Sequence, residues 1–168
     1  MVAIPNTYSE LLQSTLSWYQ SALFGTLAED RFCVEEDIPM LIMGLDHIQL
    51  VMPAGAEAAA RSFYGQLLGL EEIAKPEALR SRGGCWFRTP DIQLHLGVEA
   101  NFAPAQKAHP AFLVSDLMGC QQILVQAGNT IVPDTTIPGV ERFYTVDPFG
   151  NRLEFIQNGN GFRQQEEQ

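Results

Sequence analysis

The stretch DPFGNRLEF, residues 147–155, predicts a tight turn that leads directly into a β-strand. Proline fixes its own φ angle and the Gly-Asn pair tolerates positive φ, as a turn requires. In the strand that follows, Leu153 and Phe155 alternate with Arg152 and Glu154. Because successive strand side chains point to opposite faces, we expect the two apolar residues to face a core and Glu154 to lie on a polar face.

A matching pattern lies in the first half of the chain. The turn Thr89-Pro90-Asp91 precedes a strand in which Leu94 and Leu96 alternate with His95. Further positions agree in the same order, namely Trp86-Phe87 with Phe143-Tyr144 and His47 with His109. This agreement predicts that the two halves are a duplication.

Hydrophobic periodicity predicts the order β-α-β-β-β in each half. In the first half we expect a helix at 55–68, ended by Gly69, and strands at 45–51, 71–75, 85–88 and 92–98. In the second half we expect a helix capped by Asp116 and ended by Gly128, and strands at 110–114, 130–133, 141–147 and 152–157. The fold class is therefore α+β, with two βαβββ modules at 45–99 and 108–157.

Residues 1–44 form an extension before this domain. Thr7 and Glu10 match a capping box, and apolar residues at helical spacing predict one amphipathic helix over 8–28. This helix is either a packed structural element or a lid or dimer contact. The polar segment 158–168 is expected to be a flexible tail.

Composition and charge argue against several classes of partner and location. The formal net charge of −10 disfavours binding to nucleic acid or to an anionic membrane. The start MVAIPNTYSE lacks the features of a secretory signal, and no apolar run is long enough for a membrane span, so we expect a cytoplasmic protein. The three widely spaced cysteines, Cys33, Cys85 and Cys120, indicate small buried side chains in a reducing compartment, with a reactive thiol as the alternative.

The chemistry-bearing residues occupy equivalent places in the two halves. The only three histidines are His47, His95 and His109, and Glu154 stands where the second half would have its counterpart of His95. Imidazole and carboxylate groups on polar strand faces suit one divalent first-row metal ion. The alternative is a metal-free cavity lined by polar residues.

Four further side chains are candidates for substrate contact. Arg142 and Tyr144 share one face of their strand, and Arg82 and Trp86 flank a possible Gly83-Gly84 hinge. The alternative for each is ordinary surface or rim packing.

The chain carries the pattern LDHIQL … FYGQLLGL … IQLHLGVE … HPAFLVSD … RFYTVDPFGNRLEFIQ. This pattern resembles the vicinal-oxygen-chelate superfamily, which includes glyoxalases, bleomycin and fosfomycin resistance proteins and extradiol dioxygenases. The resemblance covers about residues 45–157. It implies a cupped mixed sheet around a metal held by His47, His95, His109 and Glu154. Glyoxalase-like relatives commonly have a carboxylate where this chain has His95.

The resemblance implies a metal-dependent, glyoxalase-like lyase or isomerase that chelates vicinal oxygens of a small-molecule substrate. The ion, one of Ni, Co, Zn, Mn or Fe, would act as a Lewis acid, and Glu154 could serve as the catalytic base. The alternatives are an extradiol-type dioxygenase and a metal-free binding protein of the bleomycin resistance type that uses Trp86 and Tyr144. Small relatives also suggest a homodimer in which His47 and His95 of one chain meet His109 and Glu154 of the other, although one chain could supply all four.

Overall fold

The computed structural model describes residues 41–159, of which residues 43–159 belong to one compact unit. The first module contains β1 (His47–Met52), α1 (Glu57–Ala60) continued by a π-helical segment (Arg61–Leu67), β2 (Glu71–Ile73), α2 (Glu77–Arg80), β3 (Cys85–Arg88) and β4 (Gln93–Val98). The second contains β5 (Ala111–Val114), α3 (Leu117–Gln126), β6 (Val132–Asp134), β7 (Arg142–Val146) and β8 (Arg152–Gln157). The predicted α+β class with two βαβββ modules is confirmed.

Each module forms its own four-stranded mixed sheet, in the orders β1-β4-β3-β2 and β5-β8-β7-β6. The first and last strands of each module run parallel, and the remaining pairs are antiparallel. His95 pairs with Gln49, two residues after His47, and Glu154 pairs with Ala111, two residues after His109. The four candidate ligands therefore occupy equivalent positions, as the sequence alignment of the halves predicts.

The helix ends follow the predicted capping. The Asp116 carboxylate accepts a hydrogen bond from the Gly119 backbone N–H at 2.8 Å at the start of α3, and Gly128 follows its end with a φ of +88°. Gly69, with a φ of +75°, ends the first helix as predicted. Nothing in the sequence indicates that this helix widens into a π-helical segment, in which Leu68 N–H donates to the Phe63 carbonyl at 3.0 Å. The short helix α2 is also unpredicted.

One hydrophobic core serves both modules. Its fully buried members come from the apolar faces of both sheets and from the helices, and the largest are Tyr64, Phe87, Phe143, Met52, Leu94, Leu96, Leu124 and Leu153. Because strand side chains alternate, the residues between them in sequence lie on the opposite faces of the sheets. The polar faces that carry the candidate ligands therefore point away from the shared core.

A buried hydrogen-bond cluster ties the modules together at the turn that follows β7. The Tyr64 hydroxyl donates to Asp147 Oδ2 at 2.7 Å, and Asn151 Nδ2 donates both to Asp147 Oδ2 and to the Val51 carbonyl, each at 2.8 Å. Burial and the Asp147 charge raise the pKa of Tyr64 well above its usual value. The turn, with Gly150 at a φ of +87°, is thus both the predicted local structure and a contact between modules.

The predicted helix over 8–28, Cys33 and most of the predicted tail lie outside the described residues. Within 41–159, Cys85 is buried and Cys120 half-buried, as expected for structural thiols. Burial raises the pKa of Cys85 to about 11, which leaves the thiol protonated at neutral pH. In this range no helix has the length and apolar character to cross a membrane.

Candidate metal centre

The first module brings two histidines into contact on its polar face. The rings of His47 and His95 stack with centroids 4.3 Å apart. Asp46 Oδ1 lies 2.7 Å from His47 Nδ1, and because a carboxylate can only accept, this nitrogen carries the proton. In a neutral imidazole Nε2 then keeps its lone pair, which is the carboxylate–histidine arrangement that orients metal ligands.

The indole of Trp86 covers the other side of His95. The ring centroids are 3.7 Å apart and the planes differ by 6°. His95 Nε2 lies 3.0 Å from Gln93 Oε1, so Nδ1 is the nitrogen left to accept. Burial, followed by the nearby His47, lowers the pKa of His95 and so favours its neutral, ligating form. Trp86, predicted as a substrate contact, is thus part of the wall around a candidate ligand.

The second module brings His109 and Glu154 together. His109 Nε2 lies 2.9 Å from Glu154 Oε2, while its Nδ1 lies 2.8 Å from the Lys107 carbonyl. Both ring nitrogens therefore face acceptors, whereas a neutral imidazole can donate through only one of them. An imidazole nitrogen and a carboxylate oxygen this close together are donor types that suit a divalent first-row metal ion.

Arg142, also predicted as a substrate contact, holds Glu154 in place. Its Nη1 donates to Glu154 Oε1 at 2.8 Å and its Nη2 donates to Asp134 Oδ2 at 3.0 Å. Burial opposes the charge of Arg142, but the hydrogen bond to Glu154, together with Tyr144 and the charges of Glu154 and Asp134, outweighs it and raises the pKa of the guanidinium. Asp134 was not predicted, because β6 and β8 become neighbours of β7 only in the folded sheet.

Tyr144 lies in the same cluster. Its ring is nearly perpendicular to that of His109, with the centroids 5.3 Å apart, and the guanidinium of Arg152 lies 4.0 Å above the Tyr144 ring centre. Burial, then the charge of Glu154, raises the pKa of the phenol. Arg152 was not among the predicted contacts, although its alternation with Glu154 was a sufficient signal to place it on this face.

Arg82 lies apart from both clusters. It is exposed in the turn after α2, where its backbone N–H donates to the Leu79 carbonyl at 3.2 Å. The Gly83-Gly84 pair beside it has positive φ at both residues, and a Cβ at Gly84 would collide with the Leu96 carbonyl oxygen. Gly84 is therefore required by a close backbone approach.

The four candidate ligands come together as two pairs. Within residues 41–159, no three or more His, Cys, Asp or Glu side chains are close enough together to hold one metal ion. His47 with His95 and His109 with Glu154 each lie on the polar face of a different sheet.

Comparison with known proteins identifies the family. The family model of the glyoxalase/bleomycin resistance protein/dioxygenase superfamily matches residues 44–155. The chain belongs to this superfamily. No curated protein matches it.

Solved structures agree with the assignment to this superfamily. A glyoxalase family protein from Bacillus anthracis is 49% identical, with a TM-score of 0.69 over 72% of this chain and 99% of that one. A glyoxalase/dioxygenase from Nostoc punctiforme is 25% identical, with a TM-score of 0.57 over 68% of this chain and 90% of that one. A lactoylglutathione lyase from Agrobacterium tumefaciens, 18% identical with a TM-score of 0.56 over 71% and 96% of the two chains, shares the fold.

Proposed function

We propose that the protein is a metal-dependent, glyoxalase-like lyase or isomerase that acts on a small substrate with vicinal oxygens. The observation that carries the proposal is the pairing of His109 with Glu154, which brings an imidazole nitrogen and a carboxylate oxygen within 2.9 Å of each other on one polar sheet face. Superfamily membership supports it.

The chemistry of the donor set fits a divalent first-row ion. His47, His95 and His109 offer nitrogen and Glu154 offers carboxylate oxygen. Asp46 and the Lys107 carbonyl orient two of the imidazoles from behind. When bound, the ion would supply Lewis acidity and sites for the substrate oxygens.

Glu154 is the proposed proton acceptor. It is 4% exposed, Arg142 holds its Oε1, and Oε2 lies 2.9 Å from His109 Nε2, so Oε2 would accept a substrate proton only after it leaves that contact and the metal. The stack of Trp86 on His95 would keep one side of the site closed to water, which strengthens the electrostatic interactions inside.

The complete site is proposed to form between two copies of the chain. The shared core uses the apolar faces of both sheets, so the polar faces with their two ligand pairs point away from it. Strands β1 and β5 are sheet edges that have no partner on their outer side within 41–159, and Leu113 on β5 is 60% exposed. Such edges commonly pair with another chain, and twofold dimers are the commonest assemblies.

Mixing two inactive variants tests the proposal. Neither a His47→Ala nor a Glu154→Ala homodimer has an intact ligand set, but a heterodimer of the two contains one complete site. Elemental analysis should find low metal content in each variant alone and recovery after co-refolding. A wild-type protein that is monomeric by light scattering and still binds metal would refute the shared site. A wild-type protein without a bound first-row metal would refute the metal-dependent enzyme.

A metal-free binding protein of the bleomycin resistance type is the second candidate. The aromatic surface made by Trp86 and His95, and the ion pair that already engages Glu154 with Arg142, favour it. It predicts that a flat organic ligand quenches tryptophan fluorescence equally with and without chelator. If the protein is the metal-dependent enzyme, substrate binding should depend on the metal.

A further inference from the structure

Arg152 lies on the polar face of β8 beside Glu154 and stacks on an aromatic ring. Its guanidinium lies 4.0 Å above the centre of the Tyr144 ring. Stacking of this kind fixes the plane of the guanidinium against the ring. The N–H groups point outward in that plane and can still donate hydrogen bonds. The ring therefore acts as a platform that orients Arg152.

Arg152 differs from the other arginines of the strands and helices. Arg61, Arg80, Arg88 and Arg142 each pair with a carboxylate, at distances of 2.6–3.0 Å. Across the part of the chain that the structure describes, Arg152 has neither a carboxylate within 4.0 Å nor a hydrogen-bond acceptor. It is half-buried, so a guanidinium without a counter-ion is held beside the candidate site.

The other arginine of this cluster already has carboxylate partners. Arg142 is engaged by Glu154 and Asp134, which it bridges. The positive charge of Arg152 is therefore the one in this cluster that remains for a ligand. Fork-shaped guanidinium groups bind carboxylate and phosphate oxygens in pairs, and the contact is charge-assisted.

We infer that Arg152, oriented by Tyr144, binds an anionic group of the substrate, either a carboxylate or a phosphate. The inference rests on the proposed function, because it takes the polar face around Glu154 as the substrate site. Arg152 and Glu154 are two residues apart on one face of the strand, about 6.6 Å along its axis, so the anionic group would bind close to the proposed base. The substrate is then a small anionic molecule and not a neutral dicarbonyl.

Anion binding to the metal-stripped protein tests this inference independently of the metal. Thermal unfolding is followed at constant ionic strength while chloride is replaced by inorganic phosphate or by acetate. Wild type should be stabilised by at least one of the two, and the apparent affinity should fall about tenfold in Arg152→Gln and less in Arg152→Lys. A response to phosphate alone indicates a phosphate-bearing substrate, and a response to acetate alone a carboxylate.

Two further variants separate binding from a structural role. Arg88→Gln removes a cation that is already paired with Glu71, and it should leave the anion response unchanged. Tyr144→Phe keeps the platform and should retain the response, whereas Tyr144→Leu should lose it. An equal response in wild type and Arg152→Gln would overturn the inference.

Metal content distinguishes this failure from a failure of the proposed function. Arg152→Gln should bind as much added Zn²⁺ as wild type, and a loss of Zn²⁺ binding would show that Arg152 supports the metal site instead. A wild-type protein that binds anions through Arg152 but takes up no metal would refute the proposed function and leave this inference standing.

Discussion

Arg142 Nη1 and Glu154 Oε1 are joined by a hydrogen bond of 2.8 Å between two side chains that are 10% and 5% exposed. The second nitrogen of Arg142 reaches Asp134 on the neighbouring strand. One guanidinium thus fixes the position of the proposed base and supplies the charge that makes its burial tolerable. Removing the arginine leaves a buried carboxylate without its strongest partner, which is the costly case for buried ion pairs.

The variant Arg142→Gln is therefore expected to lose stability by about 3 kcal/mol, and Arg142→Lys somewhat less. Chemical denaturation measures the change. The matched control is Arg88→Gln, whose partner Glu71 is 62% exposed, and it should cost less than about 1 kcal/mol. Equal losses in the two variants would show that the Arg142–Glu154 contact has no special role.

The bond between Tyr64 and Asp147 predicts a second loss of stability. Tyr64→Phe keeps the packing of the ring but removes a buried hydrogen bond to a charged acceptor, worth about 1.5–3 kcal/mol. Ser62→Ala, on the same helix, removes an exposed hydroxyl and should change stability by less than about 0.5 kcal/mol. A Tyr64→Phe protein as stable as wild type would mean that the Tyr64–Asp147 hydrogen bond does not help to hold the modules together.

Two glycines with similar φ angles are expected to respond differently to alanine. Gly69 has a φ of +75° and open space where an added methyl group would lie, so Gly69→Ala should cost about 1 kcal/mol from backbone strain. Gly84 has a φ of +83°, and its new Cβ would also meet the Leu96 carbonyl oxygen. Gly84→Ala should therefore cost at least about 2 kcal/mol more. Similar melting temperatures for the two variants would contradict the close approach of β3 and β4.

Local pattern was sufficient to predict most of the strands and the faces on which the candidate residues lie. The alternation around His95 and around Glu154 correctly separates the two faces of each strand, because it depends only on the two-residue period of a strand. The helix cap at Asp116 likewise depends only on residues close in sequence. These predictions needed no knowledge of distant contacts.

Contacts between strands could not be predicted in this way. The substrate contact of Arg142 stays a prediction, and its ion-pair partners Asp134 and Glu154 flank it only once three strands have paired. The separation of the four candidate ligands into two pairs depends on how the modules share a core. The π-helical segment is likewise not encoded in the periodicity of 55–68, which matches an ordinary helix.

Glu57 should give the protein a measurable pH dependence. Its pKa is lowered from 4.5, first of all because its carboxylate accepts the Gly84 backbone N–H at 2.8 Å. A pKa lowered by folding contributes stability that is present above the unfolded value and is lost as the pH falls through the folded value. The stability difference between wild type and Glu57→Gln should thus shrink below pH 4.5. Denaturation curves from neutral pH down into the acid range measure it, and a constant difference would contradict the lowered pKa.

Removal of metal is expected to leave the fold intact. The core draws on both modules and contains none of the four candidate ligands, so its stability does not depend on an ion, unlike that of a zinc finger. A bound ion adds stability that rises with the logarithm of its concentration relative to its dissociation constant, so a chelator should lower the melting temperature without abolishing cooperative unfolding. Circular dichroism melts with and without chelator measure this, and His47→Ala should show no further change on chelation because its site is already incomplete. Loss of the folded spectrum in chelator would show that the metal is structural and that the apolar core does not suffice.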